Sequence, residues 1–185
     1  MAVAEEIVVA PDTRLKTECK PVEVIDDSIK ELADRMLENM YATDGCGLAA
    51  PQIGELVQVV VIDVDYTRDK RNPYVLINPK IIVADGDEIE TSEGCLSFPG
   101  ISCHITRPSH VVVEARNLDG DLMRYEAKEN LMAVCLQHEI DHLHGVTMLD
   151  HLRPLERVRM MREYEDALAH GAQPGMTASD MEPEE

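Results

Sequence analysis

Two histidines and a glutamate lie close together in Gln137-His-Glu-Ile-Asp-His142. On a helix His138 and His142 are i,i+4 neighbours, so their imidazoles project from one face and are able to share one metal ion. Glu139 lies about 100° further round, where a carboxylate accepts a proton from water in the open coordination position. An exposed helix is the alternative, but the neighbouring residues are apolar, and burying this set unpaired would cost several kcal/mol. The spacing therefore predicts a catalytic metal site.

The third metal ligand is open to several interpretations. A metzincin needs a histidine where this chain has Met148. A glutamate from a downstream helix is an option, with Glu163 and Glu165 as candidates. Both lie among arginines and aspartate, a pattern more typical of a solvated helix face.

Two cysteines are further candidates for the third ligand. Cys135 lies nearly a full helical turn from His138, so its position favours a small buried apolar residue over a metal ligand. Cys95, in Glu93-Gly-Cys-Leu-Ser97, lies between a glycine and turn residues. A thiolate with two imidazoles makes a three-ligand site whose fourth position is open for water.

A glycine-punctuated segment, Gly45-Cys-Gly-Leu-Ala-Ala-Pro-Gln-Ile-Gly54, precedes a strand pattern. Its glycines allow the backbone to lie close to a ligand, and Gln52 offers an amide N–H to a developing oxyanion. Taken alone, the segment is equally typical of a turn that leads into a strand.

The three segments together resemble the signature motifs of the peptide deformylase family, in order and in spacing. They are Gly45-x-Gly-Leu-Ala-Ala-x-Gln52, Glu93-Gly-Cys-Leu-Ser97 and His138-Glu-x-Asp-His-Leu-x-Gly145, and the resemblance extends over about residues 1–170. The family removes the N-formyl group from the N-terminal methionine of newly made proteins and releases formate. This resemblance implies the same reaction here, with N-formyl-methionyl nascent peptides as the partner.

The resemblance also implies the ligands and the metal. A divalent ion would be held by Cys95, His138 and His142; Fe²⁺ is the native ion of the family, and Zn²⁺, Ni²⁺ or Co²⁺ are able to replace it. Glu139 would deprotonate the attacking water and return the proton to the leaving amine. A sulfur ligand and ferrous iron together predict sensitivity to oxygen.

Further roles follow from the same resemblance. The Gln52 amide and the Leu96 backbone N–H would stabilise the oxyanion. The methionine side chain needs an apolar pocket, and the residues expected to line it are Leu131, Val134 and Cys135 on the helix and Cys46, Gly47 and Gly94 opposite. Core packing alone would also explain the three helix residues.

Charged residues near the motifs are predicted to be structural. Glu93 needs a partner if it is buried, and Arg107 is the candidate for an ion pair that holds the cysteine loop. Asp141 faces away from the two histidines. Many family members carry a basic residue shortly after the cysteine motif, where this chain has Ser102.

Periodicity predicts an α+β fold, with mainly antiparallel β-sheets packed around the central metal-binding helix. A capping box with Ser28 as N-cap and Glu31 begins an amphipathic N-terminal helix that ends near Tyr41. The central helix is predicted over 129–144 and ends before Gly145. Strand patterns occur at 57–64, 74–78, 80–84, 110–115 and 122–125, with a hairpin turn at 117–120.

The C-terminal part divides into a helix and a tail. A catalytic region over 1–150 precedes a C-terminal helical region over 151–171, in which the helix itself is predicted to begin at Pro154 and to end at Gly171. Its predicted apolar face consists of Leu155, Val158, Met160 or Met161, Tyr164 and Leu168. Residues 172–185 contain Pro, Gly, Ser and four acids, a composition that predicts a disordered acidic tail.

Composition narrows the partners and the compartment. There are 17 Lys and Arg against 36 Asp and Glu among 185 residues, a net charge of −19, and the aromatic residues are five Tyr and one Phe. This balance disfavours DNA and anionic membranes, which need clustered cations. Five irregularly spaced cysteines, no positive N-terminal region and no apolar run near 20 residues predict a reduced, cytoplasmic protein.

One basic cluster departs from this balance. Four arginines, at positions 153, 157, 159 and 162, lie within ten residues of the predicted C-terminal helix. A solvated face paired with Glu156, Glu163 and Asp166 explains them. Since the C-terminal helix docks enzymes of this family on the ribosome, ribosome docking is the second interpretation.

Overall fold

The computed structural model describes residues 7–67 and 69–181, and in that part of the chain five strands form one antiparallel sheet beside three α-helices. The strands, in chain order and in sheet order, are β1 (Gly47–Ala49), β2 (Val59–Ile62), β3 (Tyr74–Gly94), β4 (Ser102–Arg116) and β5 (Leu122–Lys128). The helices are α1 (Asp27–Ala42), α2 (Leu131–Leu143) and α3 (Pro154–Ala169). The predicted α+β class is confirmed. No helix in the described residues is long and apolar enough to cross a membrane.

Helix α1 begins earlier than the sequence pattern indicated. Its N-cap is Asp26, whose carboxylate accepts hydrogen bonds from the Ser28 backbone N–H at 3.0 Å and from the Ser28 hydroxyl at 2.6 Å. The predicted N-cap Ser28 was therefore wrong, because its hydroxyl donates to the true cap instead of accepting from the helix. Leu32, Met36 and Met40 form the buried face of α1.

Strand β3 is one continuous element where the sequence predicted two short strands. It pairs with β4 through three register shifts, and the first of these lies between Ile77 and Lys80, around Pro79. Proline has no N–H to donate, so the ladder bulges there and then resumes. The half of β3 that leads to Gly94 was missed, because its side chains are mostly polar and partly exposed. The predicted turn at 117–120 is present, with a positive φ of 86° at Gly120.

Helix α2 lies against the sheet as the central element of the core. Asn130 caps it by accepting from the Ala133 N–H at 3.0 Å. Leu136 and Leu143 are fully buried in a cluster with β2 and β4 residues such as Val60 and Val111. Ten of the thirteen α2 residues are buried, so the polar residues of this helix depend on internal partners.

Helix α3 begins at Pro154 as predicted, but a different face is buried. Met160, Tyr164 and Ala167 pack into the core, whereas Leu155 is 86% exposed and Val158 52% exposed. The hydroxyl of Tyr164 donates to the Ala10 carbonyl at 2.8 Å. The assignment of Leu155, Val158 and Leu168 to the apolar face was wrong, since the face rotates toward the small residue Ala167.

Beyond α3, the described residues 172–181 of the predicted tail fold back against the core. Ala172 is buried, and the Gly100 N–H donates to the Met176 carbonyl at 2.9 Å. A 3₁₀ helix follows at Ala178–Met181, and Met181 packs against the core cluster around Met160, Tyr164 and Ala167, which we call the α3 cluster. Residues 182–185 lie outside the described residues. The composition concealed these anchors because only a few apolar residues in the segment make them.

Candidate active site

Strand β3 and helix α2 bring the three predicted metal ligands together. Cys95 follows the end of β3, while His138 and His142 project from one face of α2. The Cys95 sulfur lies 3.3 Å from Nε2 of His142, and the ligand atoms of all three residues lie within 4.8 Å of one another. All three residues are buried. Among the described residues, Cys95, His138 and His142 form the group of His, Cys, Asp and Glu side chains whose ligand atoms are close enough to hold one metal ion.

A chain of polar side chains, buried at the end that contacts His138, holds this histidine in place. Glu93 Oε2 accepts from Nδ1 of His138 at 2.9 Å. Arg107 donates to the two carboxylate oxygens of Glu93 at 2.6 and 3.0 Å, and to Asp141 at 2.9 Å. Asp141 also contacts His151 at 2.7 Å. We call Glu93, Arg107, Asp141 and His151 the buried charge network, after its buried members Arg107 and Glu93; Asp141 is partly buried and His151 is exposed. The expected Arg107–Glu93 pair belongs to it.

The network fixes which nitrogen of His138 faces the cysteine. With Nδ1 held by the Glu93 carboxylate, Nε2 is the atom directed at the ligand group. Burial alone would raise the pKa of Glu93, but the hydrogen bonds from His138 and Arg107 lower it, so this carboxylate stays ionised. A carboxylate behind a ligating imidazole increases its basicity as a ligand.

The Cys95 thiol is favoured in its ionised form. Its burial opposes ionisation, yet the neighbouring His142 and His138 rings lower its pKa to about 5. The thiolate is the form of cysteine that binds metals. The other four cysteines are also free thiols, and Cys46 and Cys135 have sulfurs 3.9 Å apart beside the site.

Glu139 reaches the same site from α2, with β1 close against it. Burial raises the pKa of Glu139, and its Oε2 has no hydrogen-bond partner among the described residues. A Cβ at Gly47 would lie 2.7 Å from Oε1 of Glu139 and 2.6 Å from the Cys135 sulfur, so only glycine fits there. An unpartnered buried carboxylate oxygen at a cavity is suited to accept a proton from a ligand or water.

Gln52 is held with its amide N–H₂ toward the cysteine loop. Its Oε1 accepts from the Ala49 N–H at 2.9 Å, which orients the side chain. Its Nε2 donates to the Ser97 hydroxyl at 3.2 Å and lies 3.6 Å from the Cys95 sulfur. A donor fixed in this way suits charge that develops beside the metal ligands.

A cavity of about 200 Å³ opens onto this group. Among the predicted site residues, its lining includes Gln52, Cys95, Leu96, His138, Glu139, Cys46, Gly47 and Gly94. The remaining lining residues are Asp44, Gly45, Gly175, Met176 and Thr177.

Three residues predicted for the methionine pocket lie outside that lining. Leu131 is 54% exposed in the first turn of α2, while Val134 and Cys135 are buried. Cys135 packs behind Gly47. Their role in substrate binding stays a prediction. The sequence missed Ser97, which holds Gln52, and the wall formed by 175–177; motif spacing gave no signal for the latter.

The donor set fits a divalent transition metal. One thiolate and two imidazoles are the ligands that Fe²⁺ and Zn²⁺ accept, and they leave a position open. Two such donors on one tetrahedral ion would lie about 3.5 Å apart, close to the 3.3 Å between the Cys95 sulfur and His142. Fold and site together define a metal-dependent hydrolase.

Comparison with known proteins places this hydrolase in a family. The family model described as polypeptide deformylase matches residues 4–158. The peptide deformylase of Hydrogenovibrio crunogenus is 42% identical over 167 residues, which covers 90% of this chain and 96% of the relative. That of Hahella chejuensis is 45% identical over 160 residues, covering 86% and 94%.

Solved structures of peptide deformylases have the same fold as this chain. A crystal structure of a peptide deformylase from Legionella pneumophila superposes with a TM-score of 0.84 at 36% identity, covering 98% of this chain and all of that chain. One from Synechococcus elongatus, in complex with actinonin, gives a TM-score of 0.81 at 36% identity, covering 100% and 95%. The chain belongs to the polypeptide deformylase family, and the hydrolysis of N-formyl groups from N-terminal methionine follows from that membership.

Proposed function

We propose that Cys95, His138 and His142 hold the catalytic metal of this deformylase and that Glu139 is its general base. The observation that carries the proposal is the close set of three ligand atoms beside a carboxylate oxygen with no described partner. We propose Fe²⁺ as the native ion, with Zn²⁺, Ni²⁺ or Co²⁺ as substitutes. When bound, a divalent ion supplies Lewis acidity, which makes water more acidic and polarises the formyl carbonyl.

Glu139 moves the proton in both halves of the reaction. Its burial raises its pKa, so the carboxylate becomes a stronger base than an exposed glutamate. It takes a proton from the attacking water as oxygen adds to the formyl carbon. It then gives that proton to the methionine nitrogen as the carbon–nitrogen bond breaks. The products are formate and a peptide with a free N-terminal methionine.

Gln52 and Leu96 stabilise the oxyanion that forms on the former formyl oxygen. The Gln52 amide is oriented by the Ala49 N–H, so little reorganisation is needed when charge develops. Leu96 lines the same cavity directly after Cys95 and offers its backbone N–H. Removing one such donor costs about 100- to 1000-fold in kcat.

Cys46, Gly47 and Gly94 line the space for the substrate. They contribute to the cavity wall beside Glu139, and the absence of side chains at the two glycines lets a peptide backbone approach closely. Leu131, Val134 and Cys135 complete the apolar surface for the methionine side chain in this proposal.

Formate release from formyl-Met-Ala-Ser by protein purified without oxygen, with its metal content measured, tests the mechanism. Glu139→Ala is expected to keep the metal and lose about 100- to 10,000-fold in kcat, because general base catalysis is worth that much. Glu139→Gln is the matched control for shape. Equal release by wild type and Glu139→Ala would contradict the mechanism.

A small zinc endopeptidase with a glutamate third ligand is the alternative enzyme. Cys95→Ser separates the two, since it removes a ligand in the proposed site and leaves a glutamate-based site intact. The expected result is loss of metal and of formate release. Glu163 is 52% exposed on its side chain and pairs with Arg159, which favours the cysteine.

We also propose that α3 docks this cytoplasmic enzyme on the ribosome. Leu155 and Val158 lie exposed among four arginines, a mixed apolar and basic surface suited to a ribosomal face. Arg153→Glu with Arg159→Glu is expected to abolish salt-sensitive ribosome pull-down and retain formate release. Unchanged pull-down would contradict docking by this helix.

A further inference from the structure

Residues 172–181, which we call the strap, cross the mouth of the active-site cavity. The strap begins at Ala172, three residues after the end of α3; Ala172 is buried, and Met181 packs against the same core cluster. Between these two anchors, Gly175, Met176 and Thr177 line the cavity together with the metal-ligand group. The match to the family ends at residue 158, so this contact involves a segment of the chain beyond the matched residues.

The strap touches both walls of the cavity. On one side, a Cβ at Gly175 would lie 2.4 Å from the Thr43 carbonyl oxygen, so the strap backbone packs directly on the end of α1. On the other side, the Thr177 methyl would lie 3.3 Å from a Cβ at Gly94. Gly94 and the segment after Thr43 are the walls between which the proposed substrate must lie.

The strap leaves too little room for a peptide of several residues. The cavity beneath it has about 200 Å³, below the roughly 300 Å³ at which pockets for drug-sized ligands begin. We propose that the strap competes with the residues that follow formyl-methionine and so sets the preference of the enzyme for substrate length. This inference rests on the proposed function, because it assumes that the peptide enters through this cavity.

The contacts of the strap are of a kind that opens without unfolding the core. The Gly100 N–H donates to the Met176 carbonyl at 2.9 Å, and the Ala178 N–H donates to the Ser102 hydroxyl at 3.5 Å. Two strap residues, Gln173 and Ala178, are exposed. Segments with few buried contacts open at low free energy. Ser102, at the start of β4, is thus the β4 side chain that accepts a hydrogen bond from the strap.

Competition has a defined kinetic signature. The apparent affinity for a long peptide falls by the fraction of molecules whose strap is open. If about 10% are open, freeing the cavity lowers KM for formyl-Met-Ala-Ser about 10-fold. A substrate that ends at formyl-methionine fits beneath the strap, so its KM changes less than about 2-fold.

Gly175→Val tests this in the full chain, because the added side chain meets the Thr43 carbonyl and displaces the strap. Gly120→Val is the matched control, since Gly120 also has a positive φ but lies in the β4–β5 turn with nothing within 4 Å of its Cβ. Truncation after Ala172 is the second variant. The expected result is a lower KM for formyl-Met-Ala-Ser in Gly175→Val and in the truncated protein, but not in Gly120→Val.

Hydrogen exchange supplies a readout that does not depend on turnover. The Gly100 amide, which donates to Met176, is expected to exchange faster when the product Met-Ala-Ser is added to the zinc enzyme. An unchanged or raised KM in both variants, or an unchanged Gly100 exchange rate at saturating Met-Ala-Ser, would overturn the competition. Absence of formate release from every protein, wild type included, would instead refute the proposed function.

Discussion

Two sets of ion pairs in this enzyme have similar distances and very different surroundings. Arg107 and Glu93 meet at 2.6 Å with side chains that are 4% and 3% exposed. On α3, Arg153 and Glu156 meet at 2.8 Å, with side chains that are 85% and 38% exposed. Judged by contact distance alone, the two pairs would be expected to contribute equally to stability. Burial separates them, because water screens the second pair and cannot replace either partner of the first.

The difference assigns different tasks to the two sets. In the buried charge network, Arg107 holds Glu93, and Glu93 in turn holds His138. The buried pair therefore orients a residue that we propose as a metal ligand. The Arg153–Glu156 and Arg159–Glu163 pairs connect positions three or four residues apart along α3, and none of these residues lines the cavity. Breaking pairs in order of burial tests this contrast.

Arg107→Leu is expected to have the largest effect. It leaves the Glu93 carboxylate buried without its cation, which costs about 3–5 kcal/mol in similar buried pairs. Since Glu93 then binds His138 in a less defined geometry, metal retention is also expected to fall, by about 10- to 100-fold in affinity. Metal content after dialysis and thermal unfolding measure the two effects.

Arg107→Lys is the control for that experiment. Lysine keeps the charge but loses the two-point contact with the carboxylate, so intermediate metal retention is expected. Full metal content in Arg107→Leu after dialysis would show that the network does not support the ligand.

His151→Ala is expected to have a smaller effect, because this residue is at the outer end of the network. Its side chain is 31% exposed and that of Asp141 is 25% exposed, so water replaces much of the lost contact. We expect a loss of about 1 kcal/mol in the free energy of unfolding and an unchanged metal content. A metal loss as large as that of Arg107→Leu would extend the ligand-orienting role to the whole network.

Arg159→Ala combined with Glu163→Ala is expected to have the smallest effect. The pair is 3.5 Å apart with side chains 70% and 52% exposed. A double-mutant cycle in urea should give a coupling of about 0.5 kcal/mol or less. A coupling above about 2 kcal/mol would remove the contrast between the two regions.

Local patterns explain what the sequence could predict. The i,i+4 spacing of His138 and His142 needs only a helix, and the β-branched residues of β2 need only a buried strand. The same reasoning misplaced the start of α1, because Asp26 and Ser28 are both good caps and only the hydrogen-bond direction distinguishes them. Periodicity likewise predicted the wrong buried face for α3, because that face is set by the core residues against which the helix packs, such as Phe98 and Ile101.

Long-range partners explain what the sequence could not predict. Nothing near Gln52 indicates that Ser97 will hold it, and nothing in the polar half of β3 indicates a strand before β4 is present. The strap has the composition of a tail, and its order comes from Gly100 and the α3 cluster. Spacing left the third ligand open for the same reason, since Cys95, the ligand that we propose, lies far along the chain from the histidines.

That separation has a consequence for how the enzyme assembles. Cys95 and His142 approach to 3.3 Å although they are 47 positions apart in the chain, with all of β4 and β5 between them. Closing so long a loop comes late in folding, whereas the two histidines share a face as soon as one helix forms. A chain that meets metal ions before β4 has paired would offer its two histidines alongside any of five free thiols. Refolding yields should therefore be higher when metal is supplied after the sheet has formed than when it is present from the start.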